Sequence, residues 1–268
     1  MHRIIQLSDL HFGTVNAHVL NALVHTLRQL SPSLCIVSGD ITQRARRSEF
    51  LAANAWLKTL PAPVLCIPGN HDIPLFALWT RFLHPYGRYR RYLHKEVEPL
   101  LETDRAIVIG VNTTTPFRHK RGIVSDAQIR RVEQLALDNA AGKGVIVVAH
   151  HPFHVLDEAD EDQLVENHEA AIRAWSAAGV DLILGGHIHV PYVYPLTRRY
   201  PDLPNPTLVV QGGTTTSYRV RRHIPNSLNV LDLYPEKKIH ITTWTYQSKD
   251  SGHADRFTCA EKDMWKTV

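Results

Sequence analysis

Five short blocks rich in histidine and aspartate occur in order along the chain, and each begins where an apolar run ends. The blocks are Asp9-Leu10-His11, Gly39-Asp40, Gly69-Asn70-His71-Asp72, His150-His151-Pro152 and Gly186-His187-Ile188-His189. The runs before them, at 3–7, 34–37, 63–67, 145–149 and 181–184, read as buried strands. Side chains at the ends of parallel strands converge at one edge of a sheet. Residues far apart in sequence are therefore expected to surround one small volume.

The donors suit a metal. Carboxylate, imidazole and amide oxygen are hard-to-borderline ligands for Zn, Mn, Fe, Co or Ni. Of the three cysteines, Cys35 and Cys66 lie inside strand runs and Cys259 is remote, so no thiolate site is expected. One metal takes about four protein ligands. The blocks offer roughly seven, enough for two metals that share a carboxylate.

The order and spelling of the blocks resemble the calcineurin-like metallophosphoesterase family, whose pattern is D-x-H, G-D, G-N-H-D/E, H and G-H-x-H. All five are present without substitution between Asp9 and His189. The chain looks most like the bacterial class III cyclic-nucleotide phosphodiesterase branch. The resemblance implies an α/β fold, a two-sheet β-sandwich flanked by helices. It also implies two divalent transition-metal ions, drawn from Mn, Fe or Zn. Asp9, His11, Asp40 and His189 would hold the first ion. Asp40, Asn70, His150 and His187 would hold the second, with Asp40 bridging. His71 would face the phosphate and leaving oxygen, and Asp72 would orient its ring. The implied reaction is hydrolysis of a phosphodiester by a metal-bridging hydroxide, with 3′,5′-cyclic nucleotide as first choice of substrate.

The chain has 17 histidines. Eight outside the blocks (His2, His18, His25, His84, His94, His168, His240 and His253) read as surface or packing residues. His151 sits within a block, and both a substrate-facing and a structural role are open to it. His119, His154 and His223 lie on segments expected to approach the site, as does Arg44. Basic clusters at 44–47, 88–92, 118–121 and 219–223 either rim the site and attract anions or form a solvated surface.

Length, composition and pattern bound the rest. A chain of 268 residues, 44% hydrophobic and 21% charged, fits one large domain or two small ones. Residues 1–247 are expected to form the catalytic domain, with 73–99 as a possible cap and 248–268, which lack periodicity, as a loose tail. No apolar run approaches the ~20 residues of a membrane span. The first strand begins too early for a secretory leader, and a cytoplasmic location is the expectation. Apolar spacing predicts helices over 17–30 and 48–60, and Ser125 or Asp126 caps another. Runs at 208–210, 228–233 and 238–245 predict a second sheet. The acidic stretch 157–162 reads as a solvated loop.

The expected partner is an anionic phosphodiester. A nucleotide-linked lipid pyrophosphate and single-stranded nucleic acid are alternatives, and the basic clusters leave a membrane surface or nucleic acid open as binding partner. A non-catalytic, metal-stabilised binding protein is the reading of another class. Protein phosphatases of the family carry arginine-glycine soon after G-D, and that pair is absent from Ile41-Thr42-Gln43-Arg44-Ala45.

Overall fold

Alternate side chains of the apolar runs enter different cores, which is why the runs are largely apolar on both faces. In β1 (His2–Leu7), Ile5 and Leu7 face a core built with helices α1 (Ala17–Leu30) and α2 (Arg47–Leu57), while Ile4 faces the opposite way. In β6 (Gly144–Val148), Val145 and Val147 pack under α5 (Asp126–Asn139) and α6 (His168–Ala177). Its other face, Ile146 and Val148, meets Ile4, Ile36 and Leu65 in a third core. The result is four layers: helices, sheet, sheet, helices. The structure is a computed structural model that describes residues 1–118, 120–139, 142–248 and 255–266.

The remaining strands are β2 (Leu34–Ser38), β3 (Val64–Ile67), β4 (Leu100–Glu102), β5 (Ala106–Gly110), β7 (Leu182–Gly185), β8 (Tyr192–Pro195), β9 (Leu208–Gln211), β10 (Ser227–Leu233), β11 (Ile239–Gln247) and β12 (Arg256–Lys266). One sheet has the order β12-β11-β10-β1-β2-β3, the other β4-β5-β6-β7-β9-β8. β1, β2 and β3 run parallel, as do β5, β6, β7 and β9. Three of the five blocks therefore end strands of one sheet and two end strands of the other. The site lies where two sheet edges meet, not along one. The late strands also do not make a sheet of their own. β9 extends the second sheet beside β7, and β10 pairs antiparallel with β1 in the first.

Helix boundaries follow local chemistry. α1 covers the expected residues and is capped by Asn16, whose side chain accepts from the His18 N–H. Ser125 and Gln128 form a reciprocal cap at the start of α5. Two short helices, α3 (Leu78–Leu83) and α4 (Gly87–Tyr92), fill the proposed cap segment. α4 is tied to the body by Tyr89, fully buried, whose hydroxyl donates to the Cys66 carbonyl at 2.7 Å. Only the start of the segment, Ile73 and Leu75, borders the site.

The loose-tail expectation is corrected by β12, which pairs antiparallel with β11 from Arg256 to Lys266. Phe257 supplies the reason, since it is buried in the core beneath α1 and packs on Tyr246. An apolar anchor and a backbone ladder support this edge strand, so helical or alternating periodicity was a poor guide here. Phe257→Ala should cost about 3 kcal/mol. Urea unfolding of the two proteins checks this, and equal midpoints would show that the strand adds nothing to stability.

Candidate active site

Close backbone approach builds the site. Gly39, at φ 92°, occupies the left-handed region, and a Cβ there would lie 2.4 Å from His150 Nδ1. A Cβ on Gly69 would lie 2.1 Å from Asp40 Oδ1 and 2.2 Å from the Asp40 nitrogen. Only glycine lets the third block press against the second. Asp9, His11, Asp40, His187 and His189 all adopt positive φ, between 48° and 74°. Each such non-glycine residue costs about 1–3 kcal/mol and persists only where surrounding contacts enforce it. Those contacts are visible: the hydroxyls of Thr214 and Thr216 donate to the carbonyls of Asp9 and Leu10, and Thr215 accepts from the Ser8 N–H. The threonines after β9 thus brace the first block and do not face substrate.

The donor atoms gather in two adjoining sets. In the first, His189 Nε2 lies 3.2 Å from Asp9 Oδ1 and 3.1 Å from His11 Nε2, and His11 Nε2 lies 3.8 Å from Asp40 Oδ2. In the second, His150 Nε2 lies 3.4 Å from Asp40 Oδ1 and 3.1 Å from Asn70 Oδ1, which is 3.0 Å from His187 Nδ1. Asp40 therefore turns one carboxylate oxygen toward each set. Hydrogen bonds on the far ring atoms decide which nitrogens are free. His150 Nδ1 donates to the Ser38 carbonyl at 2.9 Å and His189 Nδ1 to the Arg219 carbonyl at 2.6 Å. Carbonyls only accept, so Nδ1 is the donor in both rings, and each Nε2 faces inward and offers a lone pair once its ring is neutral. His187 is reversed, with Nε2 against Gln163 Oε1 at 3.0 Å and Nδ1 inward. Lone pairs converging this closely repel one another unless a cation lies between them. The set fits two divalent cations with nitrogen and oxygen preference.

Charge agrees with that fit. Burial alone would raise both carboxylates, but His189 outweighs it and holds Asp9 at about 2. His150, followed by His71, holds Asp40 well below the usual carboxylate range. Burial pushes His11 down to about 3, and burial reinforced by His150 does the same to His187, so both are neutral donors at pH 7. His150 moves the other way: against its burial, Asp40 raises it to about 9. A cation entering the second set must displace that proton.

Asp72 requires a correction. Its carboxylate accepts from the N–H groups of Gly69, Ile41 and Thr42 and from the Thr42 hydroxyl. It locks the second block to the third. The His71 ring is instead oriented by Gln43, whose carbonyl accepts from Nδ1 at 2.8 Å. The family resemblance implied a ring partner, but the turn carries the Asp72 side chain back into the loop after β2.

The expected rim residues separate. Arg44 lines a cavity of about 220 Å³ beside His71. His151 does not reach the pocket: it is buried behind the donors, with Nδ1 on the Thr113 hydroxyl at 2.8 Å and its ring 4.6 Å from that of His187. His223 is exposed and outside the pocket lining, and His154 lines a different cavity, stacked on Tyr194. His119 lies outside the described residues. The donor pocket, about 300 Å³, is completed by Lys120, Gln163, Arg219 and Arg221. The basic clusters signalled three of these; no local pattern signalled Gln163. The acidic loop is not wholly solvated either, because Asp160 is buried and pairs with Arg221 and Arg222.

Comparison with known proteins agrees with this site. The family model described as calcineurin-like phosphoesterase matches residues 2–191. The chain belongs to that family and is a metal-dependent phosphoester hydrolase. It is similar to the glycerophosphodiester phosphodiesterase GpdQ of Enterobacter lignolyticus, 25% identical over 78% of this chain and 81% of that one. It is also similar to a probable cyclic nucleotide phosphodiesterase of Vesicomyosocius okutanii, 23% identical over 70% and 78% of the two chains. In fold it is similar to a dimetal phosphatase from Danio rerio, with TM-score 0.69 at 13% identity, covering 99% of this chain and 98% of that one. It is likewise similar to yellow lupin purple acid phosphatase PPD1, with TM-score 0.71 at 12% identity, covering 99% of this chain and 53% of the lupin chain. Among the described residues no helix is long and apolar enough to cross a membrane.

Two outcomes are expected. Gly69→Ala should displace Asp40 and reduce bound metal to less than half that of the unaltered protein, measured by elemental analysis; full occupancy would show that the loop yields. Titration of metal-free protein with Mn²⁺ in dilute buffer at pH 7 should release protons, and affinity should rise from pH 6 to 8 as the proton on His150 is lost more easily. A pH-independent affinity would contradict the displacement.

Proposed function

We propose that the protein hydrolyses phosphodiesters at a centre of two divalent cations, one held by Asp9, His11, Asp40 and His189 and the other by Asp40, Asn70, His150 and His187. The observation that carries this reading is the Asp40 carboxylate, which presents one oxygen to each donor set. Cations bound there supply Lewis acidity and activate water. The residues of the chain do the rest. Asn70 and the histidines fix the positions of charge before substrate arrives, so little reorganisation is needed during reaction. His71 presents Nε2 4.0 Å from Asp40 Oδ2, on the open side of the donors. Water adds to phosphorus, the bond from phosphorus to one ester oxygen breaks, and a monoester and an alcohol result. One of the protons of water ends on the alcohol and the other is released.

Two features support a diester in particular. The pocket is small and lined by Lys120, Arg219 and Arg221, which suits a compact anion. Relatives named for glycerophosphodiesters and for cyclic nucleotides both act, by those names, on diesters. A 3′,5′-cyclic nucleotide is our first choice of substrate, with Mn, Fe or Zn as the cations.

Metal-free protein reloaded with Mn²⁺ should cleave bis(p-nitrophenyl) phosphate at least tenfold faster than p-nitrophenyl phosphate. It should also turn over a 3′,5′-cyclic nucleotide. Asp40→Ala should lower diester turnover by about 10³-fold or more with circular dichroism unchanged, a loss in the range of removing a preorganised electrostatic group. A monoester preference would sink the diester reading, and full turnover by the variant would sink the shared-carboxylate arrangement.

A further inference from the structure

Arg219 differs from three other arginines near the pocket. Arg221 is paired with Asp160, Arg222 with Asp157 and Asp160, and Arg118 with Glu166. No carboxylate among the described residues lies within ion-pair distance of Arg219. Its Nη1 instead lies 3.3 Å from His71 Nε2, 3.3 Å from Gln43 Oε1 and 3.5 Å from His11 Nδ1. An arginine with no carboxylate partner among the described residues, held against imidazole nitrogens and an amide oxygen beside a cation-binding pocket, has its charge available to an anion in that pocket.

Its side chain is exposed, but its backbone is tethered. The Arg219 carbonyl accepts from His189 Nδ1, and its N–H donates to the Ser217 hydroxyl. The backbone that orients a donor histidine thus sets where this guanidinium starts. Two cavities meet at the residue. The donor pocket contains Asp40, Asn70, His187 and His189, and the adjoining cavity contains Gln43, Arg44, Ile73 and Leu75. His71 and Arg219 are the residues common to both. A diester whose phosphate occupies the donor pocket and whose departing group occupies the adjoining cavity has its breaking bond beside this pair.

We propose that Arg219 is a catalytic residue that binds the leaving ester oxygen beside His71, and that the Ile73–Leu75 cavity houses the departing alcohol. As the bond from phosphorus breaks, its electron pair stays on the ester oxygen. A guanidinium N–H donated to that oxygen strengthens as the charge grows, so it lowers the barrier more than it tightens ground-state binding. His71 Nδ1 is occupied by Gln43, which leaves Nε2 and Arg219 Nη1 as the two groups facing the bond.

The assignment rests on the two-cation diester reading and is tested separately from it. Diesters sharing one half and differing in the other, from p-nitrophenyl to simple alkyl, are compared for the Mn²⁺-loaded protein, Arg219→Ala and Arg219→Lys. For R219A, kcat should fall about 10-fold with the p-nitrophenyl leaving group and 100-fold or more with alkyl, since the better leaving group needs less help. Millimolar guanidinium should restore part of the loss. Metal content should match the unaltered protein, because the backbone carbonyl on His189 is retained. Calorimetry with a non-hydrolysable phosphonate diester should give Kd within twofold of the unaltered protein. A loss independent of leaving group, or a large fall in phosphonate affinity with metal retained, overturns the assignment. If unaltered protein cleaves diesters and R219A matches it, Arg219 alone is excluded. If unaltered protein cleaves none, the function proposed above falls instead.

Discussion

Two carboxylates, Asp9 and Asp40, sit almost wholly out of water and stay ionised. An isolated buried charge is costly by several kcal/mol, so everything near these two groups answers to them. Four histidines, an asparagine oxygen and several N–H groups converge on them from five chain segments. Even before any cation is considered, His189 and His150 supply the compensating charge. The same arrangement suits divalent cations: it presents negative oxygen and, once His150 and His189 have given up their protons, neutral nitrogen, with far ring atoms already tethered to carbonyls.

The sandwich makes that convergence possible. Each sheet brings part of the donor set, and the core between the sheets fixes their separation. Ile4, Ile36 and Ile67 from one sheet and Val108, Val148 and Leu184 from the other form this core. Each of the two donor sets draws on both sheets, because Asp9, His11, Asp40 and Asn70 come from one and His150, His187 and His189 from the other. Close packing at the core therefore determines donor spacing a few residues away. Strain is confined to the strand ends, where five donor-bearing residues adopt left-handed backbone and threonine hydroxyls hold the first of them. Rigid strands with strained ends provide the preorganisation that electrostatic catalysis requires.

Outside the donors, the rim divides into groups that only three-dimensional contacts distinguish. Arg221 and Arg222 neutralise Asp160 and tie the loop after β6 to the loop after β9. Arg81 is buried and donates to three backbone carbonyls, joining the start of the cap segment to the 116–118 turn. These arginines are structural. Arg219, a neighbour in sequence of two of them, faces the pocket. Sequence clustering made them look alike; partners separate them.

The sequence by itself determined the parts that depend on local pattern. Buried strands declared themselves as largely apolar runs, α1 by its 3.6-residue spacing, and the donors by residue type at strand ends. Such features need only short-range chemistry: burial of both strand faces, a capped amphipathic helix, and donors of one hardness. Tertiary structure decided what depends on which distant atoms meet. It divided the five blocks between two sheets, since strand pairing partners are chosen by packing across the whole core. It sent Asp72 to the loop after β2 and gave the His71 ring to the Gln43 carbonyl, a pairing no spacing encodes. It placed His151 behind the donors and His223 outside the pocket lining. It drew the 256–266 segment into the sheet, with Phe257 buried beneath α1, because strand pairing is chosen by contacts with distant residues. It left Arg219 without a carboxylate among the described residues, because the charge a residue must balance is set by its neighbours in space.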